Sequence, residues 1–194
     1  MTVEQAQLEV RSIYMGGLIG GLVSGALWLL STAFSHWVSP RGGIAVLCIG
    51  GALIFPVTQL ALRAMGRPAS LSANNPVRHL AMQIAFTIPL SLPLVGAATL
   101  HRLNWFYPAM MIVVGAHYLP FVFLYGMKHF AVLGGLMVGG GILLGLYVRD
   151  CFTIGGWLTG ATFVLFGVVG GYLVRRERRG ARPAGENYRA EAVD

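Results

Sequence analysis

The stretch WFYPAMMIVVGAHYLPFVFLYGM, residues 105–127, contains no Asp, Glu, Lys or Arg. An α-helix rises about 1.5 Å per residue, so about 20 apolar residues cross a hydrocarbon core of about 30 Å. This segment is long enough to cross, and it carries one imidazole, His117, at its middle. Five further segments share its length and apolar character: residues 12–37, 43–64, 77–100, 129–148 and 152–174. Composition agrees. The chain is 56% hydrophobic and 11% charged, whereas soluble domains carry about 25% charged residues. The expected fold is all-α, a polytopic membrane bundle of six transmembrane helices.

Most connections between these segments are short. The exception is RAMGRPASLSANNPVRH, residues 63–79, which is rich in turn-forming Gly, Pro, Ser and Asn. Ahead of the first span, Thr2 with Gln5 three residues later matches a capping box and predicts a short helix over residues 1–11. That first apolar segment is too long for a signal-peptide core and lacks a clean small-residue cleavage site, so it reads as a retained span. Residues 12–174 form the six-helix domain. Residues 175–194 read as a basic, disordered tail, able to lie on anionic headgroups.

Thirteen of the fourteen basic residues are Arg, Lys128 being the exception, and six of them fall in the last 20 residues. With six spans, eleven basic residues fall on the side of the termini and three, Arg41, Arg102 and Arg149, on the other. The positive-inside rule then places both termini in the cytoplasm. Without the tail the count is five against three, in the same direction. A basic chain can signal nucleic acid, but no soluble basic domain is present, so topogenic charge is the reading and no nucleic-acid partner is expected.

The 27 glycines concentrate in the first, fifth and sixth spans. Gly17, Gly21 and Gly25 are four apart, as are Gly135 and Gly139, and Gly156 and Gly160. Such spacing builds a flat stripe on which helix backbones approach closely, and in lipid close packing has to supply the attraction between helices. Two uses fit: packing inside the bundle, or a face for a homo-oligomer. Six spans also permit a three-plus-three inverted repeat, but no residue match between the halves supports one.

Depth can be compared along the spans. His117 lies ten residues from one end of its span, about 15 Å in, and Thr87 lies equally deep in the third. Ser24, Thr159 and Thr162 fall near the same level, while Gln59 and Gln83 sit nearer the cytoplasmic side. Prolines gather here too: Pro56 in LIFPVTQ, Pro89 and Pro93 in TIPLSLP, and Pro120 in HYLPF. Each removes an amide donor and frees a carbonyl four residues earlier. Interrupted spans at one depth are the pattern of a cavity lined by broken helices, and prolines that merely kink their helices are the plainer alternative. His117, Thr87, Tyr118, Pro120, Pro56, Pro89, Gln59 and Gln83 are the candidate ligand-binding set.

An ionisable group within a span is a functional candidate, and it also serves as a hydrogen-bonding link between helices. Both uses remain open for His117. None of the seven acids, Glu4, Glu9, Asp150, Glu177, Glu186, Glu191 and Asp194, lies in a span. Ion-coupled carriers usually place a carboxylate there, and a hydrolytic triad needs an acid to orient its histidine. No catalytic residue, metal site or cofactor is therefore expected. His36, His101, Asp150 and Cys151 share the outer face without a ligand-like spacing, and the two cysteines, Cys48 and Cys151, form no CxxC. Trp37, Trp105, Tyr107 and Trp157 read as an aromatic belt at the outer interface.

The run at 105–127, together with GGALIFPVTQ (50–59) and YMGGLIGG (14–21), resembles a family of small bacterial membrane proteins known as a domain of unknown function. The resemblance covers nearly all of residues 1–174. It implies a six-span integral protein of the bacterial inner membrane and brings no catalytic residue or ligand. The leading functional expectation is a transporter- or channel-like binder of a small uncharged molecule at mid-membrane. The alternatives are a non-catalytic assembly scaffold and a lipid-acting membrane enzyme.

Overall fold

The computed structural model describes residues 1–148 and 150–180, and these fold into α-helices joined by turns and two short 3-10 segments. In chain order the helices are α1 Val3–Ile13, α2 Leu18–Trp37, α3 Pro40–Ala64, α4 Arg78–His101, α5 Phe106–Tyr118, α6 Phe121–Tyr125, α7 His129–Tyr147 and α8 Ile154–Gly180. Six spans are long and apolar enough to cross a membrane, with α5 and α6 together making the fourth. Leu90, Leu94 and Leu100 on α4 are 77%, 73% and 91% exposed. That much outward-facing leucine on one helix suits lipid and not water. The chain is a multi-pass integral membrane protein.

Local chemistry sets the helix ends. Thr2 Oγ1 accepts from the Gln5 amide at 3.3 Å and Thr2 N–H donates to Gln5 Oε1 at 2.9 Å, completing the capping box of α1. Ser39 caps α3 by accepting from Gly42 N–H at 3.0 Å, and Pro40 occupies the first turn, where no amide is needed. α6 stops at Gly126, whose φ is 65°.

Two spans differ from the sequence reading. The first does not begin as one helix at residue 12. Met15, Gly16 and Gly17 have φ of 52°, 64° and 85°, three left-handed residues in a row, and they turn the chain from α1 into α2. Gly accepts this conformation freely, while Met15 carries a cost of about 1–2 kcal/mol. The prolines also act unequally. Pro56, Pro89 and Pro93 lie inside α3 and α4, which run on through them. Only Pro120 separates two helices. There the Ala116 carbonyl is taken by Leu119 N–H at 3.2 Å, so the break leaves it bonded. A helix can bend around proline and continue. Leu119 and Pro120 both keep right-handed helical dihedrals, so the interruption is slight, and α6 beyond it buries Leu124 and Tyr125. At the C-terminal end α8 carries the helix through residues 175–180, so the start of the expected disordered tail is helical. Arg149 and residues 181–194, with the rest of that tail, lie outside the described residues.

α2 is central. It packs along α8 on one side and α3 on the other, while α5 packs along α7, and α4 leans on α5. Glycines set the closest approach. A Cβ on Gly21 would stand 2.8 Å from Gly167 Cα, and one on Gly25 would stand 3.0 Å from the Gly160 carbonyl. A Cβ on Gly115 would meet the Gly134 carbonyl at 2.9 Å where α5 crosses α7. These contacts replace the hydrophobic force that lipid does not supply.

α1 closes one end of the bundle. It buries Ala6, Val10 and Ile13. Gln7 Nε2 donates to the Phe123 carbonyl at 2.6 Å and Arg11 Nη1 to the Tyr125 carbonyl at 3.3 Å, so α1 satisfies free carbonyls at the end of α6. Arg11 also pairs with Glu177 of α8 at 2.7 Å, which puts the first and last helices at the same end. Glu9 accepts from Ser72 N–H at 2.6 Å, Ser72 Oγ at 2.9 Å and Asn75 Nδ2 at 2.8 Å. Burial raises the Glu9 pKa, but these donors outweigh it and hold the carboxyl below its ordinary range. The long connection before α4 is thus tied to α1.

Candidate functional site

His117 occupies the last turn of α5 and Thr87 the middle of α4. His117 Nδ1 and Thr87 Oγ1 are 2.7 Å apart. Thr87 Oγ1 also lies 2.7 Å from the Ile84 carbonyl. A carbonyl only accepts, so the hydroxyl proton goes to Ile84 and the imidazole donates from Nδ1. Its Nε2 keeps a lone pair. The ring lies 5.1 Å from Phe121 and 5.6 Å from Tyr118. The pair therefore bridges α4 to α5 and rests on two rings that wall the interior.

On the far side of those rings is a partly enclosed cavity of about 60 Å³. Its wall holds six aromatic side chains: Tyr118, Phe121 and Tyr125 from the broken fourth span, Phe130 from α7, and Phe163 and Phe166 from α8. Gly16, Gly17, Gly20, Gly21 and Gly167 form the opposing surface, with Leu133 between. Gly20 has no heavy atom within 4 Å of a built Cβ, while Gly16, Gly21 and Gly167 let the first span and α8 approach closely. The rings brace one another, with Phe121 and Tyr125 stacked at 5.6 Å, Tyr118 and Phe130 stacked at 6.0 Å, and Tyr125 and Phe130 tilted at 4.8 Å. By volume the cavity has room for about four waters or one compact molecule.

The eight expected ligand residues divide. His117 and Thr87 are joined, Tyr118 lines the cavity, and Pro120 lies between α5 and α6, which carries Phe121 and Tyr125 of the cavity wall. Pro56, Pro89 and Gln83 are exposed on α3 and α4, and Gln59 Nε2 donates to Tyr14 Oη at 3.4 Å. Of the expected packing glycines, Gly21, Gly25, Gly156 and Gly160 lie between α2 and α8. Gly17 belongs to the left-handed turn and faces Phe130. Gly135 and Gly139 have no heavy atom within 4 Å of a built Cβ, and α7 packs through Gly134 and Gly141 instead.

Two polar features were missed. Tyr107 is fully buried and does not join the outer belt. Its hydroxyl is 2.8 Å from Ser31 Oγ and 2.9 Å from Ser35 Oγ, and Ser31 Oγ also donates to the Gly43 carbonyl at 2.8 Å. This network joins α2, α3 and α5. Serines four apart on one face of the first span were its sequence signal. The second is His129, at the start of α7. Its ring lies 4.1 Å from Phe130 and 6.4 Å from Phe166, and both ring nitrogens are buried without a hydrogen-bond partner among the described residues. Its position at a span end hid it. Among the described residues no three His, Cys, Asp or Glu side chains gather, and Cys48 and Cys151 are exposed and unpaired with each other.

The chain belongs to a family of unknown function (DUF7010). The family's model matches residues 3–171, from the capping box of α1 to within α8. No curated protein and no solved structure matches the chain.

Proposed function

We propose that this membrane protein binds or passes a small uncharged molecule through the aromatic cavity between α2, the fourth span, α7 and α8. The cavity itself, lined by six aromatic side chains and five glycines, is the observation that carries this reading. Aromatic faces offer apolar contact at little entropic cost, and the Tyr118 and Tyr125 hydroxyls supply hydrogen bonds. The His117–Thr87 link supports the wall from outside. No chemistry is assigned to the site, and the role is binding or passage without catalysis.

The reading also takes the protein as resident in the bacterial inner membrane with both termini cytoplasmic. The end that holds α1 carries Arg11, Arg63, Arg67, Arg78, Lys128, Arg175, Arg176 and Arg179, against Arg41 and Arg102 at the other, in keeping with the positive-inside rule. An impermeant maleimide applied to intact cells should label Cys151. Labelling only after lysis reverses the orientation.

For passage, proteoliposomes are tested with urea and glycerol by stopped-flow light scattering. Wild-type vesicles should shrink and recover faster than protein-free vesicles. Gly20→Phe, which fills the cavity from a position with open space beside it, should abolish the difference. Equal recovery in all three preparations removes passage of such solutes. His117→Ala and Thr87→Val should reduce the flux without ending it.

A second reading is a docking role in an assembly. Gly135 and Gly139, unoccupied on α7, favour it. It predicts that Gly139→Leu disrupts an assembly while Gly20→Phe is silent.

A further inference from the structure

A second concavity lies at the opposite end of the bundle from α1, away from the aromatic cavity. It is a groove of about 310 Å³ between α4, α5 and α7. Ala98, Trp105, Pro108 and Ile112 line it with Gly145 and Leu146, and its surface is almost wholly apolar. Gly145 deepens it: a Cβ there would meet only Pro108 Cβ, at 3.6 Å. One end is marked by charge. The Arg102 guanidinium carbon sits 5.9 Å from the centre of the Trp105 ring, and the His101 ring lies 5.4 Å from the same ring. Trp at this level marks the membrane–water interface.

Shape selects among occupants. From Trp105 to Ile112 the groove runs about 10 Å, within the roughly 15 Å of one leaflet. It closes at Gly141, where a Cβ would stand 2.7 Å from the Pro108 carbonyl and 2.8 Å from Ile112. A second helix would need a stripe running the length of a span, and this groove ends halfway. A flexible chain entering from the interface fits it. The basic group at the mouth adds a preference for negative charge.

We infer that this groove holds one acyl chain of an anionic phospholipid, with the headgroup phosphate on Arg102 beside Trp105. The phosphate accepts from the guanidinium while the tail covers Pro108, Ile112 and Gly145. Arg102 selects the headgroup and the groove retains the tail, so the two contributions separate by mutation.

The full chain is reconstituted in vesicles of equal phosphatidylglycerol and phosphatidylcholine, extracted gently and examined by native mass spectrometry. Wild type should retain one phosphatidylglycerol at about fivefold preference, the selectivity expected of one interfacial arginine. Arg102→Gln should still retain one lipid but bring the two headgroups near parity. Gly145→Leu from α7 and Ala98→Leu from α4 should each lose the retained lipid, and the use of opposite walls guards against one variant misfolding. Four results overturn the assignment: equal retention of both lipids by wild type; unchanged preference in Arg102→Gln; retention unaffected by both filling variants; or a dimer that Gly145→Leu and Ala98→Leu dissociate, which would make the occupant a second copy.

Discussion

Gly21→Ala adds one methyl group where the backbones of α2 and α8 meet closely. Its Cβ would stand 2.8 Å from Gly167 Cα and 3.0 Å from the Phe163 carbonyl oxygen, both backbone atoms. Carbon atoms prefer about 3.5–4.0 Å, so the helices must part by about 0.7 Å or more. A gap of 0.5–1 Å forfeits about a quarter to a half of each dispersion contact across it. With strain, overpacking of this kind costs about 1–3 kcal/mol. Alanine's better helix propensity offsets little, because a span is already helical before it packs. Unfolding in mixed micelles with increasing dodecyl sulfate, followed by circular dichroism and tryptophan fluorescence, should show Gly21→Ala destabilised by about 1–3 kcal/mol. Gly139→Ala, which meets nothing within 4 Å, should lie within about 0.5 kcal/mol of wild type. If both variants match wild type, or Gly139→Ala falls as far as Gly21→Ala, the glycine approach does not hold these helices together.

Tyr107→Phe removes one hydroxyl from a buried network with two serines. It should cost about 1–2 kcal/mol in the same assay, from two interhelical hydrogen bonds near the middle of the measured range. A double-mutant cycle on His117→Ala and Thr87→Val should give a coupling of about 0.6 kcal/mol and no more than about 1.7. Zero coupling would mean the pair is not a hydrogen bond in the membrane. The depressed pKa of Glu9 stabilises docked α1 fully above the unfolded value, near 4.5, and that stabilisation is lost as pH falls through the lower folded value. Limited proteolysis should therefore cut at α1 more readily at pH 3 than at pH 6. Glu9→Gln should be cut readily at both, and pH-independent cutting of wild type contradicts the docking role of this carboxylate.

The first turn of α1 and the six spans were legible because their causes are local. A capping box needs only Thr2 and Gln5, and a span needs only length and the absence of charge. The meeting of His117 with Thr87 was legible too, since helical rise converts residue number into depth. Depth does not give rotation about the helix axis. For that reason Pro56 and Pro89 share the depth but are exposed, and Tyr107, set at the interface by its position, turns inward to Ser31 and Ser35. Four-residue spacing marks a glycine stripe but not what it meets, so Gly21 and Gly25 find α8 while Gly135 and Gly139 find open space.

The sequence by itself determined that this chain lives in a bilayer, crosses it six times and keeps carboxylates out of the apolar middle of its spans. Those properties follow from composition and length, which lipid reads directly. Only the tertiary structure decided where the chain leaves room. The aromatic cavity is lined by glycines of the first span and α8 together with rings from the fourth span, α7 and α8, residues as far apart in the chain as Gly16 and Phe166. Only the packing and rotation of the helices bring them together.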